Sequence, residues 1–199
     1  MLQHAFALSK EHQGCRRLQK KIDEETQRGN LNFCEELLNN LIDNFNILMI
    51  DQFANYLCQK LIKIAKPTQL DKILANIKGD FVQIATDQHG TRPLQKLLDK
   101  LYPLNMHRSL ELSEAIKNNV LELSVNIHGN HVVQTCLEML ISPAHKEPIY
   151  ETIIQHSLQI ARDKQGCCVM QTCLKSGSPQ QQRSLINEVV KNVKEFIDD

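Results

Sequence analysis

The feature that most constrains this chain is a context that recurs around five glutamines. Gln19 stands in "EHQGCRRLQKKI", Gln59 in "DQFANYLCQKLI", Gln95 in "DQHGTRPLQKLL", Gln134 in "NIHGNHVVQTCL" and Gln171 in "DKQGCCVMQTCL". Successive glutamines lie 40, 36, 39 and 37 residues apart. A period in that range belongs to arrays built from two or three helices per unit. One such unit cannot bury its own apolar face, so neighbouring units supply the core by stacking. An all-α solenoid is the fold this period dictates.

The register extends beyond the glutamine. Eight residues before it stand Glu11, Asp51, Asp87, Asn126 and Asp163, types suited to helix N-caps or turns. Five before it stand Gly14, Ala54, Gly90, Gly129 and Gly166. Apolar residues hold two further places: Leu8, Leu48, Ile84, Leu123 and Ile160 eleven before, and Ile22, Ile62, Leu98, Leu137 and Leu174 three after. Each unit therefore reads as one amphipathic helix, a short polar turn with a Gly, and a second helix. In the third unit Leu70, Ile73, Leu74 and Ile77 mark the first helix. Pro93 suits only a first helical turn, which starts the second helix around Gly90 to Arg92. The units are expected over residues 1–25, 33–66, 68–102, 110–141 and 147–177, with the first helix of a sixth over 180–199. In that last segment Phe196 falls where Ile84 falls and Asp199 where Asp87 falls, so the chain reads as a piece of a longer array.

Composition excludes several functions. Lys plus Arg equals Asp plus Glu at 23 each, so no global basic field draws in nucleic acid, and any such role must rest on local features. Seven Gly, six Pro and no Trp fit helices better than a turn-rich β fold. The seven cysteines are odd in number and form no CxxC pair, which points to buried free thiols in a reducing compartment. No stretch has the length or apolarity of a signal peptide or a membrane span, so a cytoplasmic protein is expected. No P-loop, GxSxG, HExxH or paired-carboxylate constellation is present, and a binding protein without cofactor or catalysis is expected. His128 and His131 look at first like a metal pair, but no other unit keeps both histidines.

The recurring chemistry lies on the second helix. Counted from the residue after the Gly-like position, sites i, i+1 and i+4 read Cys15, Arg16 and Gln19 in the first unit. They read Asn55, Tyr56 and Gln59 in the second, and Thr91, Arg92 and Gln95 in the third. The fourth gives Asn130, His131 and Gln134, and the fifth Cys167, Cys168 and Gln171. Sites i and i+4 lie one turn apart on one helical face, with i+1 beside them. A planar Arg, Tyr or His can stack on a nucleobase, while two side chains one turn apart meet its edge. Gln offers both a donor and an acceptor. Stacking of this kind contributes about 1–3 kcal/mol per base. Edge and stacking contacts need few phosphate clamps, so zero net charge is compatible with this mode. Lys20, Lys60 and Lys96, each following the glutamine, are candidates for phosphate contact or for plain solvation.

The strings "GCRRLQK", "GTRPLQK" and "GNHVVQ" in an array of this period resemble Pumilio/FBF (PUF) repeats, and the whole chain resembles repeats one to five of a Pumilio homology domain. The resemblance implies a right-handed, curved α-solenoid of armadillo-like repeats whose concave face reads single-stranded RNA, about one base per repeat. In the family's code a Cys, Ser or Thr at i with Gln at i+4 implies adenine. The pairs Cys15–Gln19, Thr91–Gln95 and Cys167–Gln171 match that. Asn with Gln implies uracil, as in Asn55–Gln59 and Asn130–Gln134. The family binds RNA antiparallel, so the chain is expected to read 5′-AUAUA-3′ within a UGUAUAUA-type element of mRNA 3′ untranslated regions. Arg16, Tyr56, Arg92, His131 and Cys168 take the stacking places, with Cys168 the weakest because it is not planar. The resemblance further implies post-transcriptional repression by a monomer that recruits deadenylase or translational repressor proteins, with no membrane role. Two alternatives remain: a HEAT- or armadillo-like scaffold for a protein partner, and a PUF-like ribosome-assembly factor with little sequence preference.

Overall fold

The structure, a computed structural model, describes residues 2–102, 106–140 and 143–192. Phe196 and Asp199, the register positions assigned to the last segment, lie outside them. The described residues are helical and fall into two compact units, Met1–Lys100 and Leu101–Asp199. The first unit holds α1 (Ala5–Ser9), α2 (His12–Gln27), α3 (Asn32–Leu41), α4 (Phe45–Met49), α5 (Ala54–Ile64), α6 (Pro67–Ile77) and α7 (Phe81–Thr86). It also holds most of α8 (Thr91–Leu101). The second holds α9 (Met106–Lys117), α10 (Val120–Val125), α11 (Gly129–Met139), α12 (Pro143–Gln155), α13 (Ser157–Arg162), α14 (Gly166–Ser176) and α15 (Pro179–Lys191).

The second helices of the sequence pattern are α2, α5, α8, α11 and α14, and α8 starts at Thr91, where Pro93 places it. The first helices differ from the expectation of one unbroken helix. In repeats two to five the helix is split in two, as α6 and α7 are by the 3-10 turn Lys78–Asp80, and in the first repeat the 3-10 turn Leu2–His4 leads directly into α1. The break sits at His4, Asn44, Asp80, Asn119 and His156, fifteen residues before each glutamine. At all five, φ lies between −129° and −107° and ψ between 12° and 20°. That is close to the sparsely populated bridge region, which interrupts the helical bond ladder and which short polar residues tolerate. Asn119 also caps the preceding helix, donating from Nδ2 to the Ala115 carbonyl at 2.9 Å.

Within each unit like helices pack on like. In the first, α2 lies against α5 and α4 against α6, around a core that includes Leu37, Leu38, Phe45, Leu57 and Leu61. In the second, α12 packs between α9 and α15, and α11 packs against α14. Tyr150 is fully buried there, and its hydroxyl donates to the Cys173 carbonyl at 2.7 Å. Polar residues stitch one repeat to the next. Gln181 closes a capping box with Ser178 at the start of α15, where Pro179 fits the first turn. Its Nε2 also donates to Glu147 at 2.7 Å and to the Pro143 carbonyl at 3.1 Å on α12. Gln69 does the same for α6, donating to Asn39 at 3.0 Å.

Four of the five apolar residues three after the glutamine are buried, but Leu174 is 43% exposed. Among the described residues no further second helix follows α14 to cover that face. All seven cysteines are free thiols; five are buried, and Cys167 and Cys168 are half-buried. Burial pushes the Cys136 and Cys173 thiols up to about 12, so they behave as small apolar groups. Among the described residues no helix is long and apolar enough to cross a membrane.

Candidate nucleic-acid interface

The start of each second helix is fixed by a local turn. Asp51, Asp87, Asn126 and Asp163 each accept two backbone N–H bonds through Oδ1, from the residues two and three ahead, at 2.7 to 3.0 Å. These are Asx turns, built from short side chains that reach their own backbone. Glu11 precedes α2 without such a bond, since its side chain is one methylene longer. Directly after the turn the helix grazes the end of the preceding one. A Cβ on Gly166 would lie 2.0 Å from the Ile160 carbonyl oxygen, and one on Gly14, Gly90 or Gly129 would lie 2.4 to 2.8 Å from the matching carbonyl of Leu8, Ile84 or Leu123. Turn and close approach together deliver sites i, i+1 and i+4 at a reproducible place in each repeat.

The two Asn–Gln repeats share one geometry. Asn55 donates from Nδ2 to the carbonyls of Asp51 at 2.9 Å and Gln52 at 3.1 Å. Asn130 donates to those of Asn126 at 2.9 Å and Ile127 at 3.0 Å. Both amide hydrogens are thus spent on backbone, and Oδ1 faces the glutamine. Gln59 donates to Asn55 Oδ1 at 3.3 Å, and Gln134 donates to Asn130 Oδ1 at 2.8 Å. Each glutamine keeps one N–H and acceptor capacity on Oε1.

The other repeats vary this plan. Cys15 is buried, donates to the Phe53 carbonyl at 3.2 Å and accepts from Gln19 Nε2 at 3.2 Å. Burial pushes its thiol up from the ordinary range. Thr91 is buried and donates to the carbonyls of Asp87 at 2.8 Å and Ala85 at 3.0 Å, with Gln95 half-buried one turn on. In the fifth repeat Cys167 donates to the Lys164 carbonyl at 3.1 Å, and Gln171 is exposed.

In the first four triads the i+1 side chain is the outermost, while in the fifth that place belongs to Gln171. Arg16, Arg92 and His131 are exposed, Tyr56 is 59% exposed, and Cys168 is half-buried. Between Arg16 and Tyr56 lies an open cavity of about 460 Å³, floored by Cys15 and Gln19. His12, Gln52 and Phe53 complete its lining, and the His12 and Phe53 rings meet edge to face at 5.4 Å. Sequence pattern did not mark these three, because their positions, seven and six before the glutamine, vary in type from unit to unit. The three lysines face carboxylates: Lys20 lies 3.8 Å from Glu24, Lys96 lies 3.5 Å from Asp99, and Lys60 pairs with Asp23. The Lys60 pair ties α5 to α2. Lys20 stays largely exposed, and a surface pair such as Lys20–Glu24 is too weak to withhold it from a phosphate.

The Pumilio-family RNA binding repeat model matches residues 4–38 and 156–190, and the NOP9-like PUF repeat domain model matches residues 56–167. Pumilio homolog 12 of Arabidopsis thaliana is 35% identical over 193 residues, which are 94% of this chain and 31% of that protein. A Pumilio domain-containing protein of Schizosaccharomyces pombe is 31% identical over 100% of this chain and 28% of its own length. The chain therefore spans about a third of these relatives. Among solved structures, the Puf4 RNA binding domain bound to the HO endonuclease RNA 3′ UTR recognition sequence matches with a TM-score of 0.87 at 30% identity. That match covers 95% of this chain and 56% of the other. The RNA-binding domain of yeast Puf5p bound to AAT2 RNA matches at 0.87 and 28% identity, over 98% of this chain and 53% of the other. The architecture is that of a helical repeat solenoid.

Proposed function

Since the chain belongs to the Pumilio (PUF) family of RNA-binding repeat proteins, we propose that its triads read single-stranded RNA in a sequence-specific way, one base per repeat. The observation that carries this reading is the paired i and i+4 side chains with spare hydrogen-bonding capacity, set beside the open slot between Arg16 and Tyr56. A base entering that slot is stacked on both faces, and Gln19 meets its edge. In the Asn repeats, glutamine Oε1 accepts from uracil N3–H and the remaining N–H donates to a uracil carbonyl. Cys15, Thr91 and Cys167 are shorter than Asn and leave room for a purine, whose N6 amino group and N1 the glutamine also satisfies. The sequence read is 5′-AUAUA-3′ within a UGUAUAUA-type element. Binding of such elements in mRNA 3′ untranslated regions, repression in the cytoplasm and recruitment of deadenylase or translational repressor proteins complete the proposal.

Titration of labelled UGUAUAUA at fixed salt tests the reading, salt being fixed because phosphate contacts make affinity depend on it. Replacing the uracil assigned to the second or fourth repeat by another base should weaken binding about tenfold or more. Equal binding of all these RNAs would instead support the PUF-like reading with little sequence preference. Absence of RNA binding would support a scaffold for proteins. Tyr56→Ala should weaken UGUAUAUA about tenfold through lost stacking. Its melting temperature should stay near that of the parent, because the ring is mostly exposed.

A further inference from the structure

The slot between Arg16 and Tyr56 is longer than base reading needs. On α2 its lining runs from Gln19 through Arg16 and Cys15 back to His12. That stretch of helix is two turns, about 10 Å. Edge reading by Cys15 and Gln19 takes up one of the turns. The other ends in a corner formed by His12, Gln52 and Phe53. We propose that His12 and Gln52 bind the ribose of the nucleotide in this slot through its 2′-hydroxyl, so that the first repeat selects a ribonucleotide as well as a base. The proposal rests on the base-reading role given to Gln19.

The way the base lies in the slot decides what reaches the corner. Gln19 takes the N6 amino group and N1 of adenine. C2 is the next atom along that edge, and it falls over Cys15, the other floor residue. Beyond C2 come N3 and the glycosidic bond, so the sugar side of the nucleotide points from Cys15 towards His12. The corner is tied to the floor, because the Cys15 thiol donates to the Phe53 carbonyl at 3.2 Å. The half-buried Phe53 ring meets the His12 ring edge to face at 5.4 Å and so sets where the imidazole stands. His12 and Gln52 are both exposed, and among the described residues neither side chain has a hydrogen-bond partner. An imidazole and an amide each offer a donor and an acceptor, and a 2′-hydroxyl offers both in return. Neither residue carries a fixed charge, which suits a neutral hydroxyl better than a phosphate.

The test compares UGUAUAUA with the same RNA carrying 2′-deoxyadenosine at its 3′-terminal nucleotide, the one assigned to the first repeat. The parent protein should bind the deoxy form about fivefold more weakly, the worth of one hydrogen bond. In the double variant His12→Phe with Gln52→Ala the two RNAs should bind equally. Phenylalanine keeps a ring against Phe53 while removing both ring nitrogens. The same deoxy replacement at the adenosine assigned to the third repeat should cost parent and variant alike. A merely structural role would lower the melting temperature, or the affinity for both RNAs, and leave their ratio at the parental value. Equal binding of the two RNAs by the parent, or a ratio that survives in the double variant, overturns the role of His12 and Gln52. If the parent shows no preference for adenine at that nucleotide, the reading by Gln19 fails first, and this role fails with it.

Discussion

The double substitution Asn130→Ser with Gln134→Glu should turn the fourth repeat from uracil towards guanine. A carboxylate at i+4 has only acceptors, and guanine alone offers two adjacent donors on its pairing edge, N1–H and the N2 amino group. Gln134→Glu by itself should do worse than the pair. Asn130 is locked with Oδ1 towards site i+4, at 2.8 Å from the present amide nitrogen, so a carboxylate there meets an oxygen it cannot bond. Serine removes that oxygen. A bidentate base contact carries about 1–3 kcal/mol of discrimination, so the guanine-to-uracil affinity ratio should rise roughly ten- to a hundredfold relative to the parent protein. Titration with UGUAUAUA and its counterpart carrying guanine at the fourth-repeat base measures it. A variant with the parental melting curve and the parental base preference would remove both residues from the reading role.

The repeat and the recurring start of its second helix were legible because they are carried by single residues at fixed places. An Asx turn needs a short oxygen-bearing side chain, a helix crossing at van der Waals limits needs Gly or a small residue, and both leave the same letter in the same column. The break in each first helix was not legible. It falls on His4, Asn44, Asp80, Asn119 and His156, which share a backbone conformation rather than a side-chain type. Apolar residues stand on both sides of it, Ile73, Leu74 and Ile77 before and Phe81 and Ile84 after, without announcing it. Bonds between repeats were hidden for another reason. Thr172 and Gln134 are 38 residues apart, as are Cys15 and the carbonyl of Phe53, and nothing local in either partner predicts the meeting. The lysines after the glutamines show the same limit: Lys60 turns to Asp23 of the previous repeat, a pairing that only the packing of α5 on α2 reveals.

Gly166→Ala should destabilise the protein by about 2–3 kcal/mol and lower its melting temperature by roughly 5–10 °C. Alanine ordinarily favours a helix over glycine by about 1 kcal/mol, and it also restricts the unfolded chain. Both effects oppose the prediction, so its sign depends on the clash. The added methyl would sit 2.0 Å from the Ile160 carbonyl oxygen and 2.8 Å from the carbonyl carbon, both backbone atoms that cannot rotate away. Relief requires α14 to move off α13. The same Asx turn that starts α14, from Asp163 to the amides of Gln165 and Gly166, resists that motion. Gly129→Ala meets its carbonyl at 2.8 Å and should lose less, while Ala54 shows that one repeat accommodates the methyl within its native packing. Thermal melts of the two variants beside the parent decide the matter. A Gly166→Ala protein as stable as the parent would mean that the α13–α14 approach is not the constraint fixing this column. Because Cys167 and Cys168 follow Gly166 directly and Gln171 lies on the same helix, displacement of α14 should also weaken binding of RNA at the fifth-repeat base. That loss should be absent from Gly129→Ala, which perturbs the fourth.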